Sequence, residues 1–247
     1  MQNAAAVLGS ALAVVLVVVV PIRGYRRYVA LRDLGPDPAA RSAMLRRSNL
    51  VKWAMALAAL GVWALSGQGD KVVWWGPYAW WLGAALLVGV AVGAWRIRRL
   101  VGSPDGRVRL SRAAAGFTSL LPGTDEERRR FVGVAVTAGV TEEILYRAYL
   151  LGYLAWLWPS APGWVLCALG GLSFGTLHAY QGWRGTFATA VLGFAFGIVY
   201  LGGGLLVVMA IHTLIDLRLL LIPVEVVAQL RAAAPTDDPA TSPPELG

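Results

Sequence analysis

What most limits how this chain can fold is a series of nearly uncharged apolar runs, each close to the length that crosses a bilayer. Residues 4–22 hold no charged side chain, and similar runs fill about 50–66, 74–95, 164–180, 184–201 and 204–221. About 20 such residues make a helix that spans the ~30 Å hydrocarbon layer. Inside that layer every backbone N–H and C=O needs a partner within the protein, so runs of this length form helices. Of the 247 residues, 57% are hydrophobic and only 15% charged, against about a quarter charged in soluble domains. With a longer run at 125–157, the expected fold class is an all-α, polytopic transmembrane helical bundle of about seven spans.

The punctuation between the runs gives the order of elements. Residues 4–22 have no Lys or Arg before them and a basic flank after, which reads as a first transmembrane helix rather than a signal peptide. A basic loop is expected at 23–49, with a turn at Gly35-Pro36-Asp37-Pro38. A short polar loop is expected at Gln68-Gly69-Asp70-Lys71 and a second basic loop at 96–125, whose 113–121 part can lie along the membrane surface. The fourth helix starts at Asp125-Glu126-Glu127, acids suited to a first turn. Running to about 157, it is too long for one straight span and is expected to project from the membrane or bend at Gly139. Trp158-Pro159 closes it, and Gly202-Gly203-Gly204 forces a tight turn between the last two helices. Small residues at Gly170, Gly171, Ser173 and Gly175, and at Gly193 and Gly197, allow two helices to approach closely. The expected units are N-terminal helices with basic loops at 1–124, a helical core at 125–222, and a partly disordered tail at 223–247.

Charge gives the orientation. Segments 23–52 and 96–130 hold 17 of the 22 Lys and Arg residues, whereas the loops on the opposite side hold only Lys71. By the positive-inside rule the N-terminus is outside and the C-terminus cytoplasmic. The net charge of +8 is accounted for by topology and attraction to anionic lipid, and nucleic acid is not an expected partner. Trp74, Trp75, Tyr78, Trp80 and Trp81 suit an interfacial belt. Cys167 is the only cysteine, which excludes an intrachain disulfide and thiolate metal clusters.

Against that background Thr141-Glu142-Glu143-Ile144-Leu145-Tyr146-Arg147 is anomalous. A charge near the bilayer centre costs at least ~2.5–3.5 kcal/mol on insertion scales. Glu143 and Arg147 are four residues apart and can pair on one helix face. Glu142 points ~100° away and has no opposite charge within helical reach. One carboxylate is held and the other available. Both histidines of the chain, His178 and His212, fall inside predicted helices, and Asp216 lies one turn after His212. Each of these has a bland reading as a packing residue or an interhelical staple, but together they include every histidine and every deep acid. They form a candidate site drawn from three helices. No Gly-x-Ser-x-Gly, thiol nucleophile or His-Glu-x-x-His occurs at the site, which leaves activated water as the hydrolytic route. A zinc ion on Glu142, His178 and His212 is chemically possible, since two His and one Glu form a catalytic zinc set.

At these residues the sequence resembles the CPBP family of intramembrane proteases, the CAAX-protease and bacteriocin-processing (Abi) family. Glu142-Glu143…Arg147, Phe174…His178 and His212…Asp216 match its three motifs in order, over about 125–221. The resemblance implies an intramembrane endopeptidase acting on membrane-associated protein or peptide substrates in a cell membrane, expected to be bacterial. It implies that Glu142 activates water with His178, that Glu143 and Arg147 hold the geometry, and that His212 and Asp216 lie where the oxyanion is stabilised. CAAX enzymes of eukaryotes carry Asn where this chain has Asp216. An ionised Asp cannot donate a hydrogen bond, so the oxyanion role passes to His212, which Asp216 orients or protonates. No metal or other cofactor is favoured, with zinc the alternative. A proton- or solute-coupled transporter and a catalytically silent scaffold remain the other readings, and oligomeric state is left open.

Overall fold

The computed structural model describes residues 2–33, 38–67, 72–114 and 120–232, and among these there is no β-strand. Helix α1 (Gln2–Val14) runs through a π-helical turn (Val15–Val19) into α2 (Val20–Asp33). The widening belongs to Pro21, which lacks the N–H that an α-helix needs. Val20 N–H reaches back five residues to Val15 O instead. Then come α3 (Pro38–Ser66), α4 (Ala79–Val101) and α5 (Pro104–Ala114). Both expected basic loops are therefore largely helical. Arg and Ala are good helix formers, and a cluster of positive charge is not a stop signal. The expected turn at 35–38 falls mainly outside the described residues, as do the 68–71 loop, positions 115–119 and the tail at 233–247.

Helix α6 (Asp125–Glu143) is capped by Thr124, whose Oγ1 accepts the Glu127 N–H at 3.1 Å. Glu127 Oε2 in turn accepts the Gly123 N–H at 2.6 Å, closing the N-terminus much as a capping box does. A seven-residue π-helical segment, Ile144–Leu150, leads into α7 (Leu151–Leu157). The expected irregularity at Gly139 is thus found a few residues later. Gly139 has a different duty: a Cβ there would lie 2.1 Å from Thr213 Oγ1 and 2.8 Å from Thr213 N. The missing side chain is what lets a later helix come down onto α6.

Helix α8 (Gly163–Leu177), a 3₁₀ turn (Ala179–Gln181), α9 (Gly182–Gly203) and α10 (Leu205–Leu217) follow. The small-residue stripe works as expected between α8 and α9. A Cβ on Gly171 would meet Phe194 N at 2.6 Å, and one on Gly197 would meet Cys167 Sγ at 2.8 Å. Gly204 turns the chain with φ +87°. The segment before α4 pairs with this turn through Gly76 N–H to Gly203 O (2.9 Å) and Leu205 N–H to Val73 O (2.7 Å). Backbone that leaves helical geometry is thereby satisfied within the protein. After a 3₁₀ turn (Arg218–Leu221), α11 (Val224–Ala232) leaves at 84°.

Helices stand at all seven expected positions. Four of them (Ala6–Leu31, Ala39–Ser66, Ala79–Val101 and Ala179–Gly203) are long and apolar enough to cross a membrane, or five spans if the bent pair Leu205–Leu221 with Val224–Arg231 counts as one. Gly163–Leu177 is apolar but short. The 125–157 rod carries acids and arginines at its start and the site charges within. Its packing follows from this: α6 lies against α3 and α10, while α8 lies along α9. The protein is an integral membrane protein by these helices.

The charged end of the rod is tied down separately. Arg128 donates to Ile222 O at 2.8 Å and to Leu220 O. Glu127 takes Arg231 at 3.1 Å and Arg41 at 3.4 Å. Burial pushes the Glu127 carboxyl up, but the Gly123 N–H and the two guanidiniums outweigh it and hold the group below its ordinary value. Beneath these ties Leu121, Ile222, Val226, Val227 and Leu230 form a small apolar cluster. Residues 224–232, the first part of the expected tail, are a docked helix.

Candidate active site

Glu142 and Glu143 are the last two residues of the regular α6, and Arg147 lies inside the π-helical segment. Every residue of that segment is buried, and π-helical turns are frequently found at functional positions. Glu143 is completely buried and Arg147 is 2% exposed. Arg147 Nη1 donates to Glu143 Oε1 at 3.1 Å, and Nε stands 3.0 Å from Oε2 as an ion pair. Arg147 Nη2 donates to Gly193 O on α9 at 3.2 Å. The guanidinium also lies 4.5 Å from the Phe174 ring centroid and 5.2 Å from that of Phe196, a cation–π arrangement in a desolvated place. The expected Glu143–Arg147 pair is present, and it locks α6, α8 and α9 together.

Glu143 has a second partner. Its Oε1 accepts His212 Nδ1–H at 2.6 Å, which sets the tautomer of the ring and leaves Nε2 on the other side. Asp216 Oδ2 stands 3.8 Å from that Nε2, too far for a hydrogen bond. The residue that orients His212 is Glu143, reached across helices, rather than Asp216 one turn away. His212 packs between Phe174 (5.9 Å) and Phe196 (5.3 Å).

His178 sits just past the last turn of α8, with φ −102° and ψ 18°, not within the helix. The end of a helix leaves carbonyls without intrahelical donors. His178 Nδ1 meets one of them, Phe174 O, at 3.0 Å, and the two rings lie 4.9 Å apart. The Phe-x-x-x-His spacing is therefore a C-cap: the Phe174 carbonyl fixes the imidazole and its ring supports Arg147, Tyr146 and both histidines. The partner of His178 is a backbone carbonyl, which no pattern of side chains in the sequence marks.

Glu142 is buried, with its side chain 8% exposed, and is not isolated. Lys52 Nζ of α3 donates to its Oε1 at 2.7 Å. Lys52, His212 and His178 all act electrostatically on this carboxylate. Lys52 was missed because it stands at the start of an apolar run, where a cation reads as a boundary charge. A faint signal existed: the chain has two lysines among its 22 basic residues, and one of them is here. Tyr180 lies beside the site, 5.8 Å from His178 and stacked at 4.6 Å on Tyr28 of α2.

Among the described residues no three His, Cys, Asp or Glu side chains converge closely enough to hold a metal ion. Of the three potential zinc ligands, Glu142 Oε1 is taken by an ammonium, His212 Nδ1 by Glu143, and His178 Nδ1 by a carbonyl. A dication on Glu142 would have to sit against the fixed charge of Lys52.

Residues 127–218 match the family model described as type II CAAX prenyl endopeptidase Rce1-like. No curated protein and no solved structure matches the chain. The matched stretch contains Glu142, Glu143, Arg147, His178, His212 and Asp216, and leaves Lys52 outside.

Proposed function

We propose, from the match of residues 127–218 to the type II CAAX prenyl endopeptidase Rce1-like family model, that the chain is an intramembrane endopeptidase that hydrolyses peptide bonds of membrane-associated proteins or peptides. The observation that carries this reading is the buried Glu142 carboxylate, which Lys52 meets at 2.7 Å and on which His178 and His212 act electrostatically.

Glu142 takes a proton from a water molecule, and the resulting hydroxide attacks the carbonyl carbon of the scissile bond. His178 holds that water through the ring nitrogen opposite its capping bond. Nδ1–H of His212 is engaged by Glu143, and with the ring protonated as the imidazolium its second N–H, at Nε2, faces the reacting carbonyl and donates to the developing oxyanion. Asp216, 3.8 Å away, is the group that keeps a proton near Nε2. Glu142 then returns its proton to the departing amine as the C–N bond breaks. Donors fixed in advance by Glu143 and Arg147 suit this chemistry, because charge stabilisation in a dry site needs no reorganisation. The water is activated by the carboxylate without a metal, in keeping with the ammonium on Glu142.

The substrates that suit a site at this depth are prenylated-type C-termini, bacteriocin-like leader peptides and membrane-anchored regulators. Residues 125–222 form the catalytic unit, the N-terminal helices brace it, and seven helices cross the membrane with the N-terminus outside. Reporter fusions after Gly67 and after Ala232 test the topology: the first reports outside and the second inside, and both on one side overturns it.

The function is tested with purified full-length protein in liposomes, supplied with membrane-anchored peptides bearing each kind of C-terminus. Cleavage that needs Glu142 supports the protease. Ion or solute flux that needs Glu142, without cleavage, supports the transporter.

A further inference from the structure

We propose that Lys52 is a positioning residue of the active site, holding one oxygen of the Glu142 carboxylate so that the other faces the reacting water. The proposal rests on the protease reading above and adds to it a residue from outside the family-matched segment.

Four observations carry it. Lys52 Nζ lies 2.7 Å from Glu142 Oε1, the range of a charge-assisted hydrogen bond. Among the described residues Oε1 has its donor in Lys52, and no donor reaches Oε2. The Lys52 side chain is 29% exposed against 8% for Glu142, so the carboxylate is the more deeply buried partner of the pair. The lysine is also not on a loose segment: its neighbour Trp53 donates through Nε1 to Thr137 Oγ1 on α6 at 3.3 Å, and α3 packs along α6. This tie, one residue after Lys52 on α3 and five residues before Glu142 on α6, helps fix the distance between the two charges.

The remaining charged and titratable groups leave Lys52 alone in this duty. Arg147 acts on Glu142 only at a distance and is committed to Glu143 and Gly193 O. His212 is committed to Glu143 and His178 to Phe174 O. Asp216, Tyr146 and Tyr180 face the same carboxylate as acids or hydroxyls, and none is a cation. A carboxylate free to rotate would lose the alignment that makes a base effective. An ammonium on one oxygen removes that freedom.

The test uses full-length protein in liposomes with the peptide that the wild type cleaves. Lys52→Met is expected to lower kcat by about tenfold or more with KM nearly unchanged, the pattern of an interaction needed in the transition state. Lys52→Arg, which keeps a cation within reach, is expected to restore most of the kcat. Lys52→Gln, with a neutral donor, is expected to fall between them. Where Lys52→Met yields no folded protein, the comparison of Arg with Gln decides. Equal kcat in those two, or a Lys52→Met enzyme with unchanged kcat, overturns the proposal. So does loss of activity in all three that tracks a fall in thermal stability, since that marks a structural tie. Glu142→Gln separates the two levels: if it stays active, the protease reading of the site fails, whereas an inactive Glu142→Gln beside a normal Lys52→Met defeats only the role of lysine.

Discussion

Glu142→Gln is expected to abolish cleavage while leaving the protein folded and as abundant as the wild type. The substitution keeps the size of the side chain and an oxygen that can still accept from Lys52, whose Nζ is 2.7 Å from Glu142 Oε1. It removes the ability to take a proton from water. General-base catalysis contributes about 10²- to 10⁴-fold, so the expected loss is at least about a hundredfold in kcat. Cleavage of a membrane-anchored peptide in liposomes measures it, with the heat-induced unfolding of the detergent-solubilised protein as the control for folding. A fully active variant would remove Glu142 from the chemistry. An inactive variant that also unfolds early would leave the carboxylate a structural role instead.

Arg147→Ala is the substitution with the largest expected effect on stability. It leaves Glu143, which is completely buried, with His212 as its partner, and it takes the donor away from Gly193 O. It also opens the space between Phe174 and Phe196 that the guanidinium fills. Removing one member of a buried pair costs about 3–5 kcal/mol, a large share of the total stability of a domain. The variant is expected to accumulate poorly and to unfold at a clearly lower temperature in detergent. Arg147→Lys keeps the charge but loses the fork that serves Glu143 and Gly193 O together, so it recovers part of the loss. Wild-type stability in Arg147→Ala would show that Glu143 is held by other means. The contrast with Glu142→Gln is the informative part: adjacent acids, one expected to govern rate and the other expected, through its arginine, to govern folding.

Much of this was legible in the sequence, for reasons that operate locally. An apolar run of bilayer length has few alternatives to a helix, so helices stand at all the expected positions. The 3.6-residue period puts Glu143 and Arg147 on one face, and the pair is there at 3.1 Å. Gly204 at φ +87° makes the turn that its glycines announced. His212 of α10 reaches the acid pair at Glu143, and His178 follows the last turn of α8.

What the sequence could not determine was settled by contacts between helices far apart in the chain. Basic segments read as loops turned out helical, since positive charge marks a membrane boundary without ending a helix. Gly139 looked like a hinge and proved to be the place where Thr213 comes down on α6. Asp216, one turn from His212, was the natural partner by sequence, yet Glu143 takes the ring nitrogen at 2.6 Å, across 69 residues of chain. Glu142 looked unpaired because helical spacing sees only its own helix, and Lys52 reaches it from 90 residues away. Local pattern determined which segments are helices and which charges had to be buried. Only the packing of α3 and α10 on α6, and of α8 and α9 on the π-helical segment that follows it, decided which charge meets which, because the cost of an unpaired charge in an apolar interior is met by whichever partner the fold brings within reach.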